Sequence, residues 1–322
     1  MKRIGVMTTG GDVSGLNACI RAVVRTAIYH GLQVTGICRG YRGMMEGDMI
    51  PLDNRSVGGI INKGGTILLS ARSQEFRTEE GQKKAAKQLE ASGIEGLVLI
   101  GGNGSLKGGD DLAKWTKIPI IGVPKSIDND IGGTEYAIGF DTAVNVVVDV
   151  IDKIRDTATS HERLFLVEVM GRDRGFLALE SALAAGAEDV LLPETATDVK
   201  DICNQLDKGK KSGKTSSIIV VAEGDEIGGA FELAKQIENV SPYEVRISIV
   251  GHMQRGGAPS AKDRVLGSSF GQTAVEALLA GESHKLVAYV DGRLILKPLE
   301  VAWDQCRPLN ENMLRLSHIL SH

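Results

Sequence analysis

Asp128 and Asp130 stand two residues apart in the segment Pro124-Lys125-Ser126-Ile127-Asp128-Asn129-Asp130, and a glycine-rich turn, Gly101-Gly102-Asn103-Gly104-Ser105, precedes them in the chain. One carboxylate of such a pair can accept a proton from a hydroxyl, the other can help hold a cation, and the glycines let a phosphate approach the backbone. These residue types point to phosphoryl transfer. Both motifs follow short apolar runs, Leu97-Val98-Leu99-Ile100 and Ile118-Pro119-Ile120-Ile121, which read as buried parallel strands. Ligands of open α/β sheets bind at the carboxyl ends of such strands.

The elements around this centre repeat one theme. Ile4 to Thr8 reads as a strand feeding Gly10-Gly11-Asp12-Val13-Ser14-Gly15-Leu16-Asn17, and Ala18 to His30 carries apolar residues at helical spacing until Gly31. A turn of this kind presents N–H groups to an anion. It lacks the GxGxxG spacing, which argues against a dinucleotide site. Arg21 and Arg25, one turn apart, form either a solvated face or an anion site. Gly40-Tyr41-Arg42-Gly43 reads as a loop at the site's edge, and Gly64-Gly65-Thr66 with Ser70-Ala71-Arg72 forms a glycine-rich passage bearing a cation. Asp141 reads as the cap of a helix through Arg155 with a buried stripe at Val144, Val147, Val148, Ile151 and Ile154.

The second half carries the remaining cations. Strand Leu164 to Met170 ends in Gly171-Arg172-Asp173-Arg174-Gly175, and strand Ser217 to Ala222 ends at Glu223. Lys208 to Lys214 reads as a basic, flexible connection. Strand Glu244 to Val250 runs into Gly251-His252-Met253-Gln254-Arg255-Gly256-Gly257, where His252 and Arg255, with Arg246 nearby, form a set suited to a sugar phosphate. Residues after the strand Leu286 to Val290 read as a polar tail.

With 322 residues, the chain is long enough for one large or two medium domains, and 40 glycines with 42% hydrophobic residues fit a soluble α/β protein rich in strand-to-helix turns. A net charge of -4 gives no general attraction for nucleic acid or an anionic membrane, so any phosphate-binding arginines must act locally. The N-terminus enters a strand directly and no apolar run approaches a membrane span, so a cytoplasmic protein is expected. Cys19, Cys38, Cys203 and Cys306 are scattered without CxxC spacing and are expected to be reduced and structural.

Five motifs in order, Gly10 to Asn17, Ser70 to Arg72, Ile127 to Asp130, Met170 to Arg172 and Gly251 to Gly257, resemble those of the bacterial-type 6-phosphofructokinases over nearly the whole chain. The resemblance implies an α/β fold of two interlocked three-layer domains with mainly parallel sheets. Residues 1–139 and 253–304 would form a nucleotide-binding domain, and residues 140–252 and 305–322 a fructose 6-phosphate-binding domain. It implies phosphoryl transfer from ATP, with Mg²⁺, to the sugar 1-hydroxyl. Asp128 would be the general base, Asp130 and Arg172 would hold the reacting centre, and Gly11 and Arg72 would stabilise charge on the transferring group. Fructose 6-phosphate would be held by Ser126, Met170, Arg172, Glu223, His252 and Arg255, with Arg163 and Arg246 reaching in from a neighbouring subunit of a homotetramer. The nucleotide would use Gly11, Tyr41, Arg72, Arg77, Gly104 and Ser105, and an ADP or phosphoenolpyruvate effector would use Arg21, Arg25, Arg155, Gly186, Glu188 and Lys214.

The chain departs from that pattern where it meets the donor. Asn103 replaces an aspartate that helps position Mg²⁺, which leaves Asn103 and Asp130 as the metal-facing pair with less negative charge. Lys125 replaces a glycine, as in pyrophosphate-dependent relatives, yet Gly104 leaves open the space that those relatives fill with an aspartate. Gly104 and Lys125 therefore bear on donor choice, with ATP favoured and pyrophosphate the alternative. At the effector site Asn54 replaces an arginine, and Ser212 and Ser216 stand where basic residues often lie, so weakened or altered regulation is expected. A non-catalytic regulatory subunit is the competing reading from another class.

Overall fold

The computed structural model describes residues 1–159, 163–214, 217–305 and 307–320. Cys306 and Ser216 lie outside the described residues. The chain forms two compact units, Met1–Thr142 with Arg255–Arg307, and Ala143–Gln254 with Pro308–His322.

In chain order the first unit begins β1 (Arg3–Thr8), α1 (Leu16–Tyr29), β2 (Gln33–Ile37), α2 (Gly40–Glu46), β3 (Met49–Leu52), α3 (Glu79–Ala91), β4 (Leu97–Gly101), α4 (Asn103–Ala113) and β5 (Ile120–Pro124). The helix α5 (Phe140–Thr159) leads into the second unit, which holds β6 (Leu164–Val169), α6 (Phe176–Ala185), β7 (Asp189–Leu191), α7 (Val199–Lys211), β8 (Ser217–Ala222), α8 (Ala230–Val240) and β9 (Val245–Ile249). The chain then returns to the first unit for α9 (Ala261–Leu279), β10 (Lys285–Val290), β11 (Arg293–Pro298) and α10 (Val301–Asp304), and ends in the second with α11 (Glu311–Leu320).

The first unit's sheet has the order β11-β10-β5-β4-β1-β2-β3, with β3 and β11 antiparallel to their neighbours and the rest parallel. The second unit's sheet, β7-β8-β6-β9, is parallel throughout. Continuous apolar runs such as Leu97-Val98-Leu99-Ile100 are buried because helices cover both faces of a parallel sheet. In register, Gly101 pairs with Pro124, so the glycine turn and the two carboxylates leave neighbouring strands at the same edge.

Several local expectations are corrected. Gly40-Tyr41-Arg42-Gly43 is not a loop but the start of α2, entered through Arg39 in the left-handed region at φ 54°. Lys208 to Lys211 belong to α7, whose last turn gains from lysines near its carbonyl end. The C-terminal tail holds α11, which packs on α6 through Met313 and Leu314 beside the second unit's core. Asp141 lies within the first turn of α5 rather than capping it. The cap comes instead from Asp263: its fully buried carboxylate accepts from the Gly139 N–H (2.9 Å), the Thr142 N–H (2.8 Å) and the Thr142 hydroxyl. Burial raises the Asp263 carboxyl above its ordinary value while these donors pull it back down.

Removing that carboxylate orphans two buried N–H groups. Asp263→Ala is expected to cost about 2–3 kcal/mol of stability, read as a lowered urea midpoint, and Asp263→Asn, which keeps one acceptor, should lose less.

Candidate active site

In the first unit, loops distant in sequence converge on the turn after β1. Asn17 donates from Nδ2 to the carbonyls of Lys63 (3.1 Å) and Gly64 (3.2 Å), and its Oδ1 accepts from the Ile67 N–H at 2.8 Å. The Thr8 hydroxyl reaches the Leu69 carbonyl at 3.0 Å, and the Ser70 hydroxyl donates to the Gly10 carbonyl. These bonds fix the passage that carries Arg72, itself exposed. Ser14 donates to the carbonyls of Gly256 (3.2 Å) and Gly257 (2.7 Å), which seats the segment beginning at Arg255 on the same turn. Arg255 lies so close over Gly11 that a Cβ there would come within 2.1 Å of its Nη1. Its Nε is buried without a hydrogen-bond partner among the described residues. The sequence assigned Arg255 to the sugar; its seat on the glycine turn was not legible there.

Lys125 lies beneath that turn. Only 5% exposed, its ammonium donates to the Gly11 carbonyl, and a Cβ on Gly10 would meet its Nζ at 3.1 Å and the Ser105 hydroxyl at 3.0 Å. The Lys125 N–H donates to the Gly101 carbonyl at 3.1 Å, tying the ends of β4 and β5 together.

The loop after β5 presents the carboxylates. Asn129 adopts φ 51°, a left-handed conformation that Asn tolerates better than most residues. Its side chain holds the conformation by donating to the Glu135 carbonyl and accepting from the Ala137 N–H, both at 2.9 Å. Asp128 is 4% exposed on one side of it, and Asp130 half-buried on the other. The Ser126 hydroxyl accepts from the Asp128 N–H (3.1 Å) and donates to Asp130 Oδ1 (2.8 Å), so its proton is already committed to positioning the pair. Asn103, at the start of α4, donates from Nδ2 to Asp130 Oδ2 at 3.0 Å. The carboxylate dictates that amide orientation, since the reverse would set oxygen against oxygen. Asn103 Oδ1 is then left buried and without a partner among the described residues.

Tyr41 is buried, donates to the Ser105 carbonyl at 2.7 Å and stacks on Phe76 with ring centroids 3.8 Å apart. Burial pushes its phenol well above the ordinary value, and Asp111 adds to the shift, so the hydroxyl stays a donor. Gly104 is exposed, and a Cβ there would meet nothing within 4 Å. Arg77 is exposed.

The second unit gathers a separate set. Arg172 adopts φ 53°, and its N–H donates to Glu223 Oε1 at 2.9 Å. The Met170 N–H donates to Gln254 Oε1 at 3.2 Å, and His252 is exposed two residues earlier than Gln254. Arg163 and Arg246, on neighbouring strand ends, converge on Glu244, the former at 3.8 Å. Arg155 donates to the carbonyls of Ala185 and Gly186, both at 2.8 Å, and stands 3.8 Å from Glu188. Arg21 is half-buried and Arg25 exposed on α1 of the first unit.

A phosphofructokinase family model matches residues 3–278. The chain is 52% identical to the ATP-dependent 6-phosphofructokinase of Halothermothrix orenii and 53% identical to ATP-dependent 6-phosphofructokinase 1 of Thermus thermophilus, covering 100% of each and of itself. The chain belongs to the phosphofructokinase family. Phosphofructokinase from Saccharomyces cerevisiae superimposes with a TM-score of 0.87 at 33% identity over 94% of this chain, which spans 44% of the yeast one. A pyrophosphate-dependent phosphofructokinase from Marinobacter aquaeolei shares the fold, with a TM-score of 0.86 at 21% identity over 97% of this chain and 86% of its own.

At Gly11 a side chain would occupy the place now held by the Arg255 guanidinium. Gly11→Ala would push the Arg255 guanidinium off the turn while sparing the core. The expected result is a kcat/KM lowered roughly tenfold to a hundredfold with an unchanged thermal midpoint, read by steady-state kinetics beside a melting curve.

Proposed function

We propose that the chain carries out the glycolytic step in which ATP phosphorylates the 1-hydroxyl of fructose 6-phosphate, giving fructose 1,6-bisphosphate and ADP, with Asp128 as the general base. The observation that carries this reading is the Asp128–Ser126–Asp130–Asn103 network, which fixes a buried carboxylate beside a glycine cradle. The relatives at 52% and 53% identity, both ATP-dependent 6-phosphofructokinases, support the same donor and acceptor. As the sugar hydroxyl attacks, Asp128 takes its proton; the Ser126 and Asn103 bonds hold Asp130 still, so little reorganisation accompanies the step. Gly11 N–H and Arg72 are the donors proposed to meet the charge of the transferring group.

Mg²⁺ fits this site on the chemistry of its donors. Asn103 Oδ1 is a buried oxygen with no partner among the described residues, next to a carboxylate. Mg²⁺ commonly keeps waters and phosphate oxygens as ligands beside one or two protein oxygens, so a pair of protein oxygens suffices. Asn103 and Asp130 would hold it, and when bound it would neutralise phosphate charge.

On this reading residues 1–139 and 253–304 are the nucleotide-binding domain and residues 140–252 and 305–322 the sugar-binding one. Ser126, Met170, Arg172, Glu223, His252 and Arg255 serve fructose 6-phosphate, and Arg163 and Arg246, gathered at Glu244, serve that of a neighbouring subunit in a homotetramer. Tyr41, Arg77, Gly104 and Ser105 serve the nucleotide, with Tyr41 acting through Ser105. Arg21, Arg25, Arg155, Gly186, Glu188 and Lys214 serve an ADP or phosphoenolpyruvate effector. Among the described residues no helix is long and apolar enough to cross a membrane, and we place the protein in the cytoplasm.

Pyrophosphate remains the second donor to test, because the buried Lys125 ammonium at the Gly11 carbonyl supplies a fixed cation to the cradle. Initial rates with ATP or pyrophosphate across a magnesium series decide it, with turnover on ATP expected. Turnover on pyrophosphate alone would overturn the donor assignment, and fructose 6-phosphate binding without turnover on either would favour a regulatory subunit. Asp128→Ser should lower kcat by about 10²–10⁴-fold with little change in sugar affinity. Asn103→Asp sets two carboxylates together, so apparent Mg²⁺ affinity should tighten; Mn²⁺ binding followed by electron spin resonance provides a check independent of turnover.

A further inference from the structure

Behind its two carboxylates, the loop after β5 is seated on the last stretch of the first unit. The Gly132 N–H donates to the Ala302 carbonyl of α10 at 3.0 Å, and a Cβ on Gly132 would come within 2.2 Å of the Val301 carbonyl oxygen and 2.4 Å of that of Gln305. Gly133, at φ 77°, lies against the Val301 side chain, where a Cβ would meet Cγ2 at 2.6 Å. On the other side β10 holds the loop: the Glu135 N–H donates to the Tyr289 carbonyl at 2.9 Å, and the Thr134 hydroxyl accepts from the Tyr289 N–H at 3.0 Å. Arg307 is half-buried and is the last residue before the chain crosses into the second unit. Its Nη1 donates to the Glu135 carbonyl, the same carbonyl that accepts from Asn129 Nδ2.

We infer that Arg307 is a positioning residue for phosphoryl transfer, acting through the Glu135 carbonyl and Asn129 on Asp128 and Asp130. The inference rests on the reading of Asp128 as the general base. Asn129 is 1% exposed at φ 51°, a backbone state that a residue with a side chain keeps only while its surroundings enforce it. Its amide is gripped at both ends, Nδ2 on the Glu135 carbonyl and Oδ1 on the Ala137 N–H. A carbonyl oxygen has two lone pairs, and here Asn129 takes one and Arg307 the other. The guanidinium bond is charge-assisted and the stronger of the two, so Arg307 sets the tilt of the Glu135–Tyr136 peptide and with it the direction in which Asn129 is held. Asp128 and Asp130 are the chain neighbours of Asn129, so any change in its backbone angles moves one carboxylate relative to the other. Misplacement by about 1 Å at a reacting centre can cost about a hundredfold in rate.

Steady-state kinetics with ATP and fructose 6-phosphate on Arg307→Ala, Asn129→Gly and the double variant test this role. Asn129→Gly keeps access to positive φ while removing both side-chain bonds. Each single variant should lose roughly tenfold to a hundredfold in kcat, with the KM of both substrates within about twofold of the parent. The double variant should fall no more than about twofold below Asn129→Gly, because the two residues act in one relay. Millimolar methylguanidinium should restore part of the kcat of Arg307→Ala and leave that of Asn129→Gly unchanged, and Arg307→Lys should keep more activity than Arg307→Ala. If Arg307→Ala fails to fold, Arg307→Lys takes its place in the cycle. Losses that multiply in the double variant, a loss confined to KM, or an unchanged kcat in Arg307→Ala would overturn the inference. Multiplying losses beside an inactive Asp128→Ser would sink it and leave the base reading standing; a coupled pair beside a nearly fully active Asp128→Ser would do the reverse.

Discussion

The contact on which the first unit's site depends is the buried ammonium of Lys125 against the Gly11 carbonyl. A lysine head removed from water must be repaid by good acceptors, and the carbonyls of a glycine turn are available because no side chain shields them. The same backbone accepts from Ser70, while Ser14 and Asn17 of the motif bind the two flanking segments. What reads in sequence as a phosphate-facing glycine motif is thus equally a structural hub. Two of its polar residues, Ser14 and Asn17, face inward to hold loops, while Asp12 is exposed.

From that hub the loop after β5 follows by short steps. Lys125 bonds through its backbone to Gly101, so the ends of β4 and β5 are fixed together. One residue on, Ser126 serves as acceptor to the Asp128 N–H and donor to Asp130, and Asn129, at a positive φ, turns the chain between the two carboxylates. A hydroxyl with one proton can donate once only. Its donation to Asp130 therefore makes Ser126 a residue that shapes the pair, whatever further contact its oxygen makes with a sugar.

Strands, glycine turns and the order of the motifs were legible because each is a local signal: apolar runs of β length, glycines at strand ends, carboxylates two apart. The misses share a cause. Asp263 caps α5 from 121 residues beyond Thr142, and no spacing rule connects residues so far apart. Gly40 to Gly43 looked like a loop from its two glycines, yet the helix α2 forms because Tyr41, Met44 and Met45 are buried in the core. β11 was hidden within a tail judged by its charges, although Leu294, Ile295 and Leu296 pair along β10. Arg255 carried the right chemistry but gave no hint of resting on Gly11, a contact made by the fold alone.

The two departures at the donor side can be weighed together. Against the family pattern that the motifs resemble, an amide at Asn103 removes one negative charge and an ammonium at Lys125 adds one positive charge, both changes lying close to the same strand ends. A polyphosphate donor is attracted by both. A free metal ion is attracted by neither change, and of the two carboxylates Asp130 already accepts on both oxygens, from Ser126 and Asn103. On the proposed function the cradle would meet phosphate through fixed cations and backbone N–H groups, with Asn103 and Asp130 as the residues that would hold Mg²⁺. An aspartate in place of Asn103 would repel Asp130 in the absence of a cation, whereas the amide donates to it and holds it in place.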